Sequence, residues 1–360
     1  MNRFDRHIIS RLLLGFSLLI AVLIVFFIVL HYVEFVDDFF DRGATMREVF
    51  LVYYPSYIPE IVKLTSPLAL FLACVFITGK LAQTLQITAL QTAGVSLYRL
   101  LFPYLFVAAA VTGSMFWFNG WIVPETNRTV LEFEQRYLKD APQVLDVHDI
   151  HRQNRPGTYV TVGYFDRRGG IAHRISIQQF NASHELTSRI DAPLMTWVDS
   201  LSSWRIDDPV VRSFAGGTEN RRLFSHMDTM LQILPRDLAR TERDVESMTI
   251  PAAAEYVRDL ERSGAGGIGR TKVGYYAKFA YPVANLILVL IGMPLAAVRR
   301  RGGQAVQVGL GLVVAFLYLA VQKLTEPFGY TGELPPLAAA WLPHAIFFLA
   351  ALVLLIKARK

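Results

Sequence analysis

The sequence holds few residues whose types and spacing suit enzyme chemistry. His148 and His151 stand beside Asp146 and Asp149, but the segment has no helical pattern and no third clustered ligand for a metal ion. A solvated loop is therefore the favoured interpretation. The chain has no phosphate-binding glycine loop followed by Lys-Ser/Thr, no His-Glu-x-x-His helix and no Gly-x-Ser-x-Gly elbow. We therefore expect no enzyme activity, no metal site and no cofactor in this chain.

Ionisable side chains recur where apolar segments begin or end. The set comprises Glu34, Asp37, Asp38, Arg42, Glu60, Lys63, Lys323 and Glu326. Most residues of this kind reach water from the membrane surface, so solvated anchors are the default interpretation. Lys63 and Lys323 differ, because each lies within or at the edge of an apolar segment, where a charge needs a partner. If their helices face a common cavity, these lysines are candidates to meet the phosphate groups of an anionic amphiphile.

The elements that position these residues are dominated by long apolar runs. Of the 360 residues, 53% are hydrophobic and 18% are charged, against roughly a quarter charged in soluble domains. The formal charge of +6 is not gathered into a stripe, as nucleic-acid binding would require, since basic residues flank the apolar runs. The single cysteine, Cys74, lies inside such a run and excludes an internal disulfide. Composition therefore predicts an integral membrane protein.

Six apolar runs approach the roughly 20 residues that a helix needs to cross a bilayer. They are Leu12–Val33, Ile61–Gly79, Leu100–Trp117, Tyr275–Val298, Ala305–Leu324 and Leu337–Ile356. The first follows a basic segment and has no small-residue cleavage site after it, which predicts an uncleaved helix and not a signal peptide. We place three helices in residues 1–119 and three in residues 273–360.

Charge asymmetry predicts the orientation, because cytoplasmic loops carry an excess of Lys and Arg. With the amino terminus in the cytoplasm, that face receives Arg3, Arg6, Arg11, Lys80, Arg99, Arg299, Arg300, Arg301, Lys357, Arg359 and Lys360. The short loops on the opposite face then hold Glu34, Asp37, Asp38, Asp41, Glu326 and Glu333. Six helices leave both termini in the cytoplasm.

Residues 120–272, between the third and fourth helices, have the composition of a soluble domain. They begin with a predicted helix, Glu125–Lys139, and end with an amphipathic helix, Pro251–Ser263, before the glycine-rich hinge Gly264–Gly269. Between them, alternating segments predict strands at Thr158–Phe165, Ile171–Phe180, Leu186–Val198, Ser203–Ile206, Val210–Phe214 and Leu223–Ile233. Turn clusters separate these strands at Asp166–Gly170, Asp207–Pro209 and Gly216–Asn220. Short strands at this spacing predict a sandwich, a jelly roll or an open barrel.

The connection between the second and third helices, at about 80–97, is rich in residues that favour helices. Leu81, Leu85 and Ala89 repeat every four positions, while Thr84 and Thr88 lie on another face. This spacing predicts a short amphipathic helix on the cytoplasmic membrane surface, closed by Gly94. Two interpretations are equally weighted: a simple connector, or a coupling helix that docks in a groove of a separate motor protein.

Several short motifs, weak singly but specific in their order and spacing, resemble those of the LptF/LptG permeases of lipopolysaccharide export. The matching pieces are Phe35-Val36-Asp37, Leu81-Ala82-Gln83, Gln91-x-x-Gly94, Trp121-x-x-Pro124, Met248 to Gly264, Tyr276 to Pro282, Phe328-Gly329, Pro335-Pro336 and Leu342-Pro343. The resemblance covers nearly the whole chain and is closer to the LptG branch. It implies a membrane α-helical bundle of six transmembrane helices, with a periplasmic all-β jelly-roll-like domain inserted between helices 3 and 4.

The resemblance also implies partners and site residues. The partners would be a second, LptF-like permease, a dimer of a cytoplasmic ATPase that uses ATP and Mg, and a small single-helix jelly-roll protein; the cargo is lipopolysaccharide. Coupling to the ATPase maps to Gln83, Gln86, Ile87, Leu90 and Gly94. A lateral lipid gate on the first and fifth helices maps to Phe26, Leu30, Phe35, Phe316, Tyr318 and Val321.

Two departures from the family pattern affect these assignments. Gln86 stands where an acidic residue is common, and its neutral amide gives a hydrogen bond of about half the strength. Glu34 stands where a basic residue often meets lipid phosphate. Phosphate binding must then come from the partner permease or from Arg42, Lys63, Arg128, Arg136 or Lys323.

Other classes of membrane protein fit the sequence less well. A lipid-modifying enzyme would need a nucleophile–base pair or a metal cluster. A secondary transporter would normally place carboxylates or broken helices near the bilayer midplane, whereas the charges here lie at the boundaries. A membrane-anchored lipid-handling protein without an ATPase partner remains an alternative.

Overall fold

The computed structural model describes residues 3–138, 144–145, 148–166, 169–215, 217–238, 240–241, 243–299 and 302–357. Sequence features predicted at Lys139, Asp146, Gly216, Arg300, Arg301, Arg359 and Lys360 lie outside these residues. The chain divides into two compact units, which we call the helical unit and the β unit. The helical unit contains Met1–Ala141, Val245–Ile250 and Lys272–Lys360, and the β unit contains Pro142–Asp244 and Pro251–Thr271.

The helices account for most of the described residues. In chain order they are α1 (Arg3–Asp41), α2 (Met46–Glu48), a π-helix (Val49–Tyr53), α3 (Tyr54–Gln83), α4 (Gln86–Thr92), α5 (Leu97–Trp117), a second π-helix (Phe118–Ile122), α6 (Val123–Tyr137), α7 (Pro235–Leu238), α8 (Ile250–Arg262), α9 (Gly269–Ala297), α10 (Gly303–Thr331) and α11 (Pro336–Lys357). Six of the described helical spans have the length and apolar composition to cross a membrane, which confirms the predicted helix count.

The first helix is much longer than its apolar run. Helix α1 has 39 residues, about 58 Å at 1.5 Å per residue, against a hydrocarbon core of about 30 Å. The predicted run Leu12–Val33 left Phe35-Val36-Asp37 after the first helix, which was wrong, because the motif lies within the last turns of α1. The helix ends where Gly43 adopts φ +76° and donates its N–H to the Phe40 carbonyl at 3.1 Å.

The second and third spans also extend beyond the predicted bounds, and each contains a π-helical segment. A reciprocal cap between Thr45 and Glu48 begins the second span, which continues to Gln83. The third span runs without a break from Leu97 to Tyr137. The separation of a helix Glu125–Lys139 from the third transmembrane helix was thus wrong. Apolar content marks only the lipid-embedded part of a helix. The polar segment that follows Trp117 was therefore predicted as a separate helix and not as a continuation of the third span.

Small residues allow close packing at the centre of the helical unit. The rings and methyl groups of Phe71 and Val75 on α3 meet Gly292 of α9 and Gly311 of α10. Buried polar side chains there are paired: Ser66 Oγ donates to Asn285 Oδ1 at 2.8 Å, and Thr78 Oγ1 donates to the Tyr104 hydroxyl at 3.0 Å. Such pairing satisfies polar groups that lipid cannot hydrate.

The β unit contains an antiparallel sheet, which confirms the predicted fold class, although the sheet is open. Its strands are β2 (His148–Arg155), β3 (Thr158–Asp166), β4 (Ile171–Phe180), β5 (Leu186–Val198), β6 (Ser203–Asp207), β7 (Val210–Ala215), β8 (Thr218–Leu223) and β9 (His226–Thr229). A separate two-stranded ladder pairs β1 (Val144–Leu145) with β10 (Arg240–Thr241).

Strand β5 is the branch point of the sheet. One edge of β5 pairs with β4, while its other edge pairs with β7 through Ser188–Asp191 and with β6 through Leu194–Val198. The order is β2-β3-β4-β5-β6-β9, with β8 attached through β7. Among the described residues β2 and β9 do not pair with each other, and β8 pairs with β7 alone. Strands β2, β8 and β9 are therefore edge strands of the sheet.

Two strand predictions need correction. The segment of His148 and His151, interpreted as a solvated loop, is strand β2, in which His151 Nδ1 lies 3.0 Å from Thr161 Oγ1 of β3. Its inward positions are Ile150, Arg152 and Asn154. Because two of these three buried residues are polar, the segment lacks the alternation of apolar and polar residues that predicts a strand. The predicted strand Leu223–Ile233 was also wrong, since β8 ends at Leu223 and β9 covers only His226–Thr229. The turn predicted at Gly216–Asn220 is present at Gly217 but is shorter, because β8 begins at Thr218.

The sheet buries an apolar core on one side. Val160 on β3 lies opposite Ile177 on β4, and both are buried with Trp204 and Ile206 of β6. The Trp204 indole Nε1 donates to the Ile233 carbonyl at 2.7 Å, which satisfies the one polar atom of that ring. Core packing therefore explains the alternating sequence of the central strands.

The contact of Gly292 with Phe71 predicts a sharp difference between two glycine substitutions. A Cβ at Gly292 would lie 2.9 Å from the buried Phe71 ring, whereas at Gly113 of α5 nothing lies within 4 Å. We expect Gly292→Ala to lower the free energy of unfolding by about 1–3 kcal/mol through overpacking. Gly113→Ala should leave it unchanged or slightly higher. Thermal unfolding in detergent micelles measures both, and equal midpoints would contradict this packing.

Candidate functional site

Helices α1 and α10 carry the least enclosed apolar faces of the six spans. Only 6% of the most apolar stretch of α1 is buried, and 22% of that of α10, against 39% to 67% for the other four spans. The side chains of Phe26 and Leu30 on α1 are more than half exposed, and Phe316 on α10 is 75% exposed. Exposed apolar surface of this extent marks contact with lipid or with another protein.

An apolar cavity of about 410 Å³ lies between α1, α3 and α10. Its walls include apolar pairs that lie one helical turn apart: Leu14 with Leu18, Leu72 with Phe76, and Val308 with Leu312. Arg11 is the one charged residue in the lining. None of these apolar residues was singled out from the sequence. The i, i+4 spacing was visible, but the meeting of three helices distant in sequence was not. The cavity can accept an apolar chain.

The predicted gate residues occupy three different environments. Phe26, Leu30 and Phe316 are exposed. Phe35 and Val321 are half-buried, and the Phe35 ring lies 4.6 Å from the His31 ring. Tyr318 is fully buried, and its hydroxyl lies 3.0 Å from His344 Nε2 of α11. The side chain of Tyr318 therefore joins α10 to α11 and is not part of the exposed face.

The predicted cytoplasmic helix is shorter than its sequence pattern. Helix α3 ends at Gln83, Leu85 adopts φ +60°, and α4 runs from Gln86 to Thr92. The left-handed backbone of Leu85 interrupts the helix, so Leu81, Leu85 and Ala89 do not share one face, and that prediction was wrong. Leu81 is buried, while Leu85 and Ala89 are exposed. Closure at Gly94 is confirmed by its φ of +85° and by its N–H bond to the Gln91 carbonyl at 3.0 Å.

The predicted coupling residues lie on opposite sides of α4. Ile87 is buried and Leu90 is partly buried, both against the core formed by α1, α3 and α5. Gln86 is exposed and Gln83 half-buried at the end of α3. Ile87 therefore anchors α4 to the bundle, and the outward surface consists of Leu85, Gln86, Ala89 and Thr92, which we call the α4 surface.

A bidentate ion pair ties the start of α5 to the start of α1. Arg99 Nη1 and Nη2 donate to the two carboxylate oxygens of Asp5 at 2.9 and 2.8 Å, and Asp5 is buried. Arg99 lies in the first turn of α5, where the Ser96 hydroxyl accepts its backbone N–H. The connection that carries α4 is thus fixed to the amino-terminal end of α1 by a strong, directional contact.

A family model identifies the protein class. The model for the lipopolysaccharide export system permease LptF/LptG matches residues 6–357. The chain belongs to the LptF/LptG family. It is 21% identical to the lipopolysaccharide export system permease protein LptG of Escherichia coli K12 over 337 residues, 90% of this chain and 91% of the relative. It is 19% identical to the LptG of Haemophilus influenzae over 371 residues, 100% of this chain and 99% of the relative.

Family membership and the six apolar helices make this an integral protein of the inner membrane. These relatives are named LptG, which agrees with the closer resemblance to that branch. The exposed faces and the apolar cavity thus belong to a lipopolysaccharide export permease.

The predicted phosphate-binding cations of this LptF/LptG permease are distributed over several elements, and most have partners. Lys63 forms an ion pair with Glu60. Lys323 Nζ lies 3.0 Å from Glu326 Oε2, and Arg128 Nε lies 3.3 Å from Glu132 Oε1. The Arg136 guanidinium lies over the Tyr137 ring at 5.2 Å, and Arg42 is exposed just after α1. The requirement for a partner at Lys63 and Lys323 is met within their own helices.

Lys278 of α9 is a buried cation that the sequence analysis missed. It is 5% exposed and interacts electrostatically with Lys63, Glu60 and Glu246. Asn127 Nδ2 donates to Glu60 Oε2 at 2.8 Å, so the cluster joins α3, α6 and α9. The criterion that selected Lys63, a lysine at the edge of an apolar run, also applies to Lys278. The partners that bury it come from distant segments, which spacing does not reveal.

The two faces of α4 predict different outcomes for substitutions at neighbouring positions. Ile87→Ala removes buried apolar surface and should lower the free energy of unfolding by about 2–5 kcal/mol. Gln86→Ala, at an exposed position, should change it by less than about 0.5 kcal/mol. Thermal unfolding of the purified chain compares them. A larger loss for Gln86→Ala would contradict the observed orientation of α4.

Proposed function

We propose that this chain is the permease subunit of an ABC exporter that extracts lipopolysaccharide from the inner membrane and passes it toward the outer membrane. Its charge asymmetry supports a cytoplasmic location for both termini and for α4, with the β unit in the periplasm. ATP hydrolysis then belongs to a separate subunit, because the sequence lacks a phosphate-binding loop.

The open apolar faces of α1 and α10 carry the proposal for a lipid gate. Exposing an acyl chain to water costs about 0.8 kcal/mol per CH₂, so a chain of about a dozen carbons costs on the order of 10 kcal/mol. A practical path therefore keeps acyl chains against apolar surface throughout. Phe26, Leu30 and Phe316 offer such surface toward the bilayer, and the cavity beside Leu18 and Leu312 offers a place to enter.

Passage through the β unit is supported by its open sheet. Strands β2, β8 and β9 lie at edges of the described sheet. Two apolar side chains beside these edges are unusually exposed: Leu223 at the end of β8 is 71% exposed, and Met230 just after β9 is 73% exposed. Exposed apolar groups of this size suit contact with acyl chains or with a partner sheet. We assign the β unit to acceptance of the lipid after it leaves the membrane.

Partner assembly follows from the same surfaces. The incompletely buried α1 and α10 suit pairing with a second, LptF-like permease and with a small single-helix jelly-roll protein. The α4 surface suits a groove in a cytoplasmic ATPase dimer, since Leu85 and Ala89 offer apolar contact and Gln86 offers a hydrogen bond. The Asp5–Arg99 pair connects this docking element to the gate helix α1.

Site-specific photo-crosslinking tests the gate. A photoreactive side chain at Phe26 or Phe316 in the intact complex should form lipopolysaccharide adducts, because these positions lie on the proposed entry face. The matched control is Leu349 on α11, which is 62% exposed and faces bulk lipid in this scheme. We expect adducts at the gate positions to exceed those at Leu349 severalfold. Equal yields at all three positions would reject the gate.

Co-purification tests the coupling surface with two matched substitutions. Ala89 on α4 and Ala305 in the first turn of α10 are both exposed near the proposed cytoplasmic face. Ala89→Arg should remove the ATPase subunit from the purified complex, because the longer side chain obstructs docking. Ala305→Arg should retain it. Retention in both variants would contradict docking on α4, and absence of any ATPase from the wild-type preparation would favour a secondary transporter.

A further inference from the structure

A second cavity, of about 500 Å³, lies at the end of the helical unit that carries α4. It is formed where α9 and α11 end beside α4 and the start of α5. Apolar side chains of Leu295, Val298 and Leu354 form part of its wall, and Gln91 of α4 contributes an amide. Two cations, Arg299 and Lys357, complete the lining.

Arg299 and Lys357, both exposed, differ in their pairing from Lys63, Lys323 and Arg99 of the same unit. Lys63, Lys323 and Arg99 each bind a carboxylate. Neither Arg299 nor Lys357 has a hydrogen bond or an ion pair with any residue that the structure describes. A cation near a helix carboxyl terminus interacts with the helix dipole, but this gives only about 0.3–1 kcal/mol. It does not account for two such cations lining one cavity.

The combination of apolar wall and unpaired cations matches one chemical class. Basic pockets between the cytoplasmic ends of transmembrane helices bind the headgroups of anionic lipids. We propose that this cavity binds an anionic phospholipid of the cytoplasmic leaflet, with its phosphate between Arg299 and Lys357. The upper acyl segments then pack on Leu295 and Leu354, and the Gln91 amide donates to the headgroup. The choice of leaflet rests on the orientation given under the proposed function.

The site is separate from the proposed lipopolysaccharide path. The apolar cavity of that path is lined by α1, α3 and α10, whereas this one is lined by α4, α5, α9 and α11. A lipid here contacts Thr88 and Gln91 on one side of α4. The α4 surface of Leu85, Gln86, Ala89 and Thr92 is left to the proposed ATPase. Bound phospholipid would thus support the helix that is proposed to receive the motor.

Native mass spectrometry of the purified full chain, with whatever subunits accompany it, tests the site. The probe is phosphatidylglycerol added to detergent micelles, with phosphatidylcholine as the uncharged reference. We expect the wild type to retain phosphatidylglycerol preferentially. Each surface cation contributes about fivefold, so Arg299→Gln with Lys357→Gln should weaken phosphatidylglycerol binding on the order of 30-fold. Phosphatidylcholine binding should stay unchanged.

The control removes the same charge from the same end of the helical unit, where the start of α1 is joined to the start of α5. Arg3 and Arg6 are exposed on α1 and do not line the cavity, so Arg3→Gln with Arg6→Gln should change phosphatidylglycerol binding by less than about threefold. Equal loss in both double variants, or no preference in the wild type, overturns the site. Unchanged lipid binding with loss of a soluble subunit also overturns it, and assigns the cavity to a protein contact. The lipid count does not depend on ATPase docking or on lipopolysaccharide, so the proposed function can fail independently.

Discussion

The structure depends on the absence of hydrogen-bonding solvent inside a bilayer. Each polar group within the six spans must find its partner in protein, because an unsatisfied group in hydrocarbon costs several kcal/mol. Three such pairs join helices of the helical unit: Ser66 with Asn285, Thr78 with Tyr104, and Tyr318 with His344. These pairs decide which helix faces turn inward, and they leave the apolar faces of α1 and α10 outward.

The same constraint connects architecture to transport. A permease for an amphiphile needs polar contacts that hold its helices together and apolar surface that stays available to cargo. Here α3 and α9 supply the packed centre around Phe71 and Gly292. Helix α1 is held mainly at its ends, through Asp5, Ile8 and Leu12 near one end and Phe39 near the other. Between Leu12 and Phe39 no residue of α1 is buried, which suits the proposed lateral gate.

The sequence was sufficient for the helix count and most central strands, because apolar runs and alternation are local signals. It was not sufficient where a helix or a strand includes residues that lack these local signals. Helix α1 continues past Phe35 into polar residues, and strand β2 hides its period behind Arg152 and Asn154. The inward turn of Ile87 and Tyr318 depends on neighbours distant in sequence. For the same reason the cavity beside Leu72 and Leu312 could not be predicted from the sequence.

Thiol labelling of the cavity between α1, α3 and α10 tests the central claim most directly. Phe76, which lines that cavity, is replaced by cysteine, and the native Cys74, which is fully buried, is replaced by alanine. A lipophilic maleimide should label the new thiol in membranes, a membrane-impermeant maleimide should not, and loading with lipopolysaccharide should protect it. Rapid labelling by the impermeant reagent, unaffected by lipopolysaccharide, would show a water-filled space and contradict the account.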